Sequence, residues 1–262
     1  MKLAVDGHAV FATTGGTHFD PAKPAVIFLH GAGFDRTVWR LQTRWFAHHG
    51  RSVLAVDFPG HGWSDGTPLP DITAMADWTA KLIDAAGVKN AALVGHSMGA
   101  LVALDCAARH GDKVRALGLC GVASEMPVHP EMLDSAKADT LKVQELMTFW
   151  GVGNALHKGG MVSPGLWLRR ESLAVLAGNK PDVIHGDLAA CNAYKDALAR
   201  AGEVKCPTVL VLGDGDLMTP PAKGKALAAA IPGARAVIVP GCGHFMMVER
   251  PDETLDALKS YV

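Results

Sequence analysis

The sequence predicts an α/β protein: a doubly wound, mostly parallel sheet that carries a helical insertion. Three observations predict it. Six short aliphatic runs, "AVIFLHGAG", "SVLAVDFPGHG", "AALVGHSMG", "VRALGLCGVAS", "PTVLVLGDGD" and "ARAVIVPGCGH", each end in a glycine-bearing turn. Continuous apolar runs bounded in this way fit strands buried on both faces of a parallel sheet. Stretches with helical spacing lie between the runs, and such alternation is the mark of a doubly wound sheet. Residues 124–201 interrupt the alternation and contain no strand-like run.

Taken in chain order, the first helical stretch runs from Asp35 to His49, with Trp39, Trp45 and Phe46 among its apolar positions. The second follows Ser97 through His110, a third spans Ala222 to Ala230, and the last runs from Glu249 to Tyr261. Segments such as "EMLDSAKADTLKVQELMTFW" make the 124–201 interruption helical. The expected organisation is a core of residues 1–123 and 202–262 with residues 124–201 inserted into it, not folding separately. In doubly wound sheets the reactive groups sit in loops at the carboxyl ends of the strands, which here are the glycine-rich turns.

The bulk chemistry narrows the class. An apolar content of 49% and a charged content of 19% suit a globular protein with a large core. The 25 basic and 26 acidic residues nearly cancel, without long charge blocks, so nothing recommends nucleic acid or an anionic membrane as partner. No run approaches the roughly 18 apolar residues of a membrane span. The start, "MKLAVDGHAVFATTGG", lacks the unbroken apolar stretch of a signal peptide. Five scattered cysteines without a CxxC suggest buried thiols in a reducing cytoplasm rather than disulfides or zinc. A cytoplasmic protein acting on a small molecule is expected, and a homo-oligomer is compatible with it.

Gly95-His96-Ser97-Met98-Gly99 matches G-x-S-x-G between a strand, "AALV", and a helix, "ALVALDCAARH". A serine on such a turn is exposed at the top of the sheet, and flanking glycines keep side chains from colliding with the neighbouring elements. The helix start offers the Met98 N–H to developing negative charge. The turn His30-Gly31-Ala32-Gly33 follows "AVIFL" and supplies a second N–H, assigned to Ala32, with Gly33 or Phe34 as alternatives should the loop turn one step later. "VLVLGDGDLMTP" places Asp214 and Asp216 beyond one strand, and "AVIVPGCGHFMMVERP" places His244 beyond the next. Asp216 lies further along its loop and reaches His244, whereas Asp214 caps the turn. "LGLCGVAS" has no carboxylate before Glu125, which argues against an acid displaced to that strand.

Together "FLHGAG", "VDFPGHGWSD", "LVGHSMGA", "LGDGDLMTP" and "GCGHFMMVERP" resemble the α/β-hydrolase superfamily over nearly the whole chain. The resemblance implies the α/β-hydrolase fold, with Ser97 as nucleophile, His244 as general base and Asp216 as its orienter. It also implies that the insertion is a lid, with "HGDLAACNAYKD" (185–196) as the lid's last helix. Phe34, Met126, Met147, Trp150, Trp167 and Phe245 are candidates for the substrate pocket, and Met161 is another. His61 in "DFPGHG" reads as structure, His96 as packing beneath the turn, and His30 as a hydrogen-bonding member of its own loop. No metal-ligand spacing occurs among the twelve histidines, and no cofactor is called for.

The expected reaction is cleavage of a carboxylic ester, thioester or lactone of a small to medium, largely apolar substrate through an acyl-enzyme. A carbon–carbon-bond hydrolase and a cofactor-free haloperoxidase or perhydrolase use the same triad and stay open. So does a ligand-binding or receptor protein with little turnover.

Overall fold

A computed structural model describes residues 1–158 and 167–262. The chain opens with a hairpin of β1 (Lys2–Val5) and β2 (His8–Thr13), whose tight turn places Asp6 and Gly7 at positive φ. β3 (Ala25–Leu29) follows, and a 3-10 turn at Arg36–Trp39 feeds α1 (Arg40–His48). β4 (Ser52–Val56) and α2 (Ile72–Ala85) lead to β5 (Ala91–His96), α3 (Met98–Arg109) and β6 (Val114–Cys120). The insertion then contributes α4 (Pro130–Lys137), α5 (Leu141–Gly151), α6 (Leu168–Ala177), α7 (Val183–Ala193) and α8 (Ala197–Ala201). The chain returns through β7 (Thr208–Gly213), α9 (Pro221–Ala230), β8 (Arg235–Val239), α10 (Met246–Glu249) and α11 (Pro251–Leu258).

The eight strands form one sheet in the order β1-β2-β4-β3-β5-β6-β7-β8. Only the hairpin and its junction with β4 are antiparallel; every pairing from β4 to β8 is parallel. Every residue of β3, β4, β5 and β7 is buried, as their unbroken apolar runs require. The connection from β3 to β4 runs one way along the sheet, and those from β4 to β8 run the other. Right-handed crossovers therefore put α1 on one face and α2, α3 and α9 on the opposite one. α11 packs beside α1, while α2, α3, α8 and α9 touch in succession.

The six expected strands and the four expected helical stretches are all present. Two features extend them. The β1–β2 hairpin adds an antiparallel edge, and α2 caps itself with Asp71, whose carboxylate accepts from Ala74 N at 2.7 Å. The segment 185–196 forms most of α7 but is followed by the short α8, which packs on α3 and α9 at the core rather than over the strand ends. Among the described residues no helix is long and apolar enough to cross a membrane.

Candidate active site

The turn between β5 and α3 is made by close approach. A Cβ on Gly95 would lie 2.1 Å from the Gly99 carbonyl oxygen, and one on Gly99 would lie 2.5 Å from that of Leu29. Glycine is the one residue that lets the helix start so near the strands. Ser97, held between them, has φ 52° and ψ −114°, a conformation that costs a non-glycine residue roughly 1–3 kcal/mol. Its N–H donates to Cys120 O at 2.9 Å, anchoring the strained residue to β6. Met98 begins α3, where the first amides have no partner inside the helix.

The loop after β3 sorts its amides. Gly33 N donates to Asp187 Oδ2 at 2.8 Å and Phe34 N donates to Gly31 O at 3.1 Å. Among the described residues, Ala32 N–H is left without an acceptor. His30 braces the loop: its Nδ1–H donates to Gly31 O at 2.9 Å and its Nε2 accepts from Phe58 N at 3.1 Å. Burial, followed by the neighbouring His61, pushes the His30 pKa down to about 4, so the ring is neutral in that bridge. His96 donates from Nε2 to His244 O at 2.9 Å, and burial, with His244 nearby, holds it well below the ordinary histidine range.

Asp216 and His244 meet from the loops after β7 and β8. His244 Nδ1–H donates to Asp216 Oδ2 at 2.8 Å. The other Asp216 contacts fill its remaining lone pairs: Met218 N at 2.9 Å and Thr219 N at 2.8 Å on Oδ1, and Thr219 Oγ1 at 2.6 Å on Oδ2. Burial alone raises the pKa of such a carboxyl, but His244 and these hydrogen bonds outweigh it, and Asp216 stays ionised below the usual aspartate value. Asp214 is exposed and caps the turn, its Oδ1 accepting from Cys242 N at 3.1 Å. Its pKa is lowered by backbone N–H groups, that of Gly241 first.

Three contributors lie outside the sequence reading. Thr219 stands in the quoted "LGDGDLMTP", and its proximity to Asp216 was the available signal. Glu249 is fully buried, and its carboxylate accepts from Gly243 N at 2.9 Å, Phe245 N at 3.1 Å and Gly153 N at 3.1 Å. It thus grips the backbone on both sides of His244 and ties it to the end of α5. Burial raises its pKa although the three amides oppose the rise. The His244 amide makes a second tie, donating to Gly151 O at 2.7 Å. Asp187 pairs with His61, Oδ2 to Nε2 at 2.9 Å, both fully buried.

These loops surround a cavity of about 390 Å³ between the strand ends and the insertion. Ser97, His96, His244 and Ala32 are on its lining, as are Phe34, Met126, Met147, Trp150 and Phe245 from the sequence reading. Met132, Leu188, Cys191, Leu217 and Met218 also contribute, as do His129 and Thr219, so the wall is mostly apolar and, among the described residues, bears no Lys or Arg. Trp167 departs from expectation: it is 65% exposed at the start of α6, with the Arg170 guanidinium 5.9 Å from its ring, and does not reach the cavity. Nothing in a helical sequence told which face of the insertion it would take. Met161 falls outside the described residues. Cys191 and Cys242 are buried, and burial drives both thiol pKa values up, away from thiolate chemistry. Among the described residues no group of three or more His, Cys, Asp or Glu is placed to hold a metal ion.

Comparison with known proteins places the fold. A family model described as the alpha/beta hydrolase family matches residues 26–257. A pimeloyl-[acyl-carrier protein] methyl ester esterase of Chromobacterium violaceum is 32% identical over 261 residues, covering 91% of this chain and 94% of that protein. The enol-lactonase of Burkholderia xenovorans LB400 superimposes with a TM-score of 0.89 at 23% identity, over 99% of this chain and 98% of its own. A bromoperoxidase of Bacillus anthracis gives 0.86 at 18% identity, over 99% of both chains. At such identities the two structures attest to the fold.

Proposed function

The chain belongs to the alpha/beta hydrolase family and is an enzyme of the carboxylesterase/lactonase type; on that premise we propose that it cleaves esters or lactones of small to medium, apolar substrates through an acyl-enzyme on Ser97. The observation that carries the reading is the buried, hydrogen-bonded His244–Asp216 pair, whose histidine lines the same cavity as a serine held on a strained turn.

Asp216 fixes the His244 tautomer with the proton on Nδ1, so Nε2 is the basic nitrogen. Ser97 Oγ attacks the substrate carbonyl as His244 takes its proton. The Ala32 and Met98 amides, without an acceptor among the described residues, receive the oxyanion, each good donor being worth roughly 3–4 kcal/mol in the transition state. His244 returns the proton to the leaving alcohol and then activates water, which releases the acid. In a lactone the leaving alcohol stays attached to the acyl group.

The mostly apolar wall, with no Lys or Arg among its described residues, favours an uncharged acyl chain. The name of the Chromobacterium relative, a methyl ester esterase, agrees with a small leaving alcohol. Within the helical insertion, residues 124–201, the part up to the end of α7 serves as the lid that closes the cavity, while α8 joins the core. A panel of p-nitrophenyl esters, thioesters and lactones, run beside fluorophosphonate labelling, tests the assignment. Turnover of apolar chains and labelling should both vanish in Ser97→Ala. Persistence of either in that variant removes Ser97 as nucleophile, and no turnover of any member would turn the reading toward a binding protein.

A further inference from the structure

The loop carrying the second oxyanion donor is built to be loose. Ala32 stands between Gly31 and Gly33, and glycine is the residue with the largest backbone freedom to lose. Its order comes from outside the sheet. Both backbone groups of Gly33 are taken by the insertion: its N–H donates to Asp187 Oδ2 at 2.8 Å, and its carbonyl accepts from Asn179 Nδ2 at 2.6 Å. Gly33 sits at φ +67°, and a Cβ there would lie 2.9 Å from Leu176 Cδ2 and 3.1 Å from Ile184 Cγ1, on α6 and α7. The insertion therefore seats directly on this residue.

Asp187 is itself braced. His61 Nδ1 faces Pro59 O at 3.0 Å while its Nε2 faces Asp187 Oδ2 at 2.9 Å, so both ring nitrogens meet acceptors. Such a ring carries a proton on each nitrogen. It has no lone pair to act as a base and works as a strut between the "PGHG" loop and α7.

We propose that Asp187, supported by His61 and Asn179, is a positioning residue for the oxyanion site: by holding Gly33 from the insertion it keeps the Ala32 N–H in place. The proposal rests on the serine-hydrolase reading above. Its consequence is that the insertion does more than cover the cavity. Undocking it releases the oxyanion loop, so the catalytic geometry exists only in the docked state.

Steady-state kinetics of Asp187→Leu, Asp187→Asn and Asn179→Ala on a p-nitrophenyl ester test this, together with inhibition by a trifluoromethyl ketone, which forms a tetrahedral oxyanion on Ser97. Leucine removes the acceptor, and kcat should fall about ten- to a hundredfold with KM nearly unchanged, since misplacement near 1 Å can cost about a hundredfold. Ketone affinity should weaken by the same factor. Asparagine keeps an oxygen for the Gly33 amide and should recover most of the loss. Asn179→Ala leaves Asp187 in place and should show a smaller loss of the same kind, and it decides the matter if the leucine variant does not fold. Unchanged kcat and ketone affinity in folded variants would overturn the proposal, as would a loss carried by KM. Ser97→Ala, run in parallel, separates the two ideas: activity surviving there defeats the hydrolase reading itself, whatever Asp187 does.

Discussion

The molecule holds two buried histidine–aspartate pairs of nearly the same dimensions, and they are wired oppositely. His244 Nδ1 lies 2.8 Å from Asp216 and His61 Nε2 lies 2.9 Å from Asp187. In the first pair the carboxylate takes one ring nitrogen and leaves the other on the cavity side. In the second, Pro59 O occupies the remaining nitrogen. A carboxylate beside a histidine thus does not make a base. The contact at the far nitrogen decides whether the ring can accept a proton.

The contrast can be pressed by mutation, starting with the largest effect. Ser97→Ala and His244→Ala should each lower kcat by about 10⁴- to 10⁶-fold, and the double variant should be no worse than either, because the two act as one unit. Multiplying losses in the double variant would break the assignment. Asp216→Asn should lower kcat by about 10³- to 10⁴-fold while leaving KM nearly unchanged, because the amide favours the wrong tautomer. The matching change on its exposed neighbour, Asp214→Asn, should stay within about threefold by the same assay, as surface substitutions cost little.

On the other pair the loss of rate should be far smaller and a cost in stability should stand out. His61→Gln should lower the unfolding free energy by about 1–3 kcal/mol, read by urea titration, because it weakens a buried hydrogen-bonded pair. A rate loss as large as that of His244→Ala would erase the distinction drawn here. Glu249→Gln combines both effects. Its amide N–H₂ meets a backbone N–H that the carboxylate accepts, so about 1–3 kcal/mol should be lost along with part of kcat.

The smallest effect lies in pH. Burial lowers the His61 pKa, but Asp187 and the hydrogen bonds to it and to Pro59 outweigh burial and raise it above 6.5. Its stabilisation is full below the unfolded-state value and is lost as pH rises through the folded-state value. Asp216 is lowered below 3.8, so its stabilisation is present above that value and is lost as pH falls through the folded-state one. Thermal melts of wild type and His61→Gln should therefore diverge in mildly acidic buffer and converge in alkaline buffer. A gap that widens with pH would reverse the protonation assigned to the His61 pair.

Much of this was legible in the chain because it is local. Each buried strand announces itself as an apolar run ending in glycine, and Ser97, Asp216 and His244 each stand just past such a run. The β1–β2 hairpin escaped because its strands are short, half exposed and flanked by charge. α2 was within reach, since Ile72, Met75, Ala76, Thr79, Leu82 and Ile83 keep helical spacing, but it is amphipathic and unremarkable beside its motif-bearing neighbours. The braces were not legible at all. Asp187 is 154 positions from Gly33, and Glu249 is 96 from Gly153. Neither position carries a local pattern, since each acts by arriving where a loop needs an acceptor.

The cavity wall includes Met126, Met132, Met147 and Met218. Methionine is unbranched, with three rotatable bonds and a polarisable sulfur, so it conforms to irregular guests where leucine or isoleucine would impose a fixed outline. A wall of this kind is suited to sorting molecules by bulk and apolar character more than by contour. The same softness is a chemical weak point. Peroxide converts thioethers to polar sulfoxides, turning a pliant oily surface into a wet and chiral one.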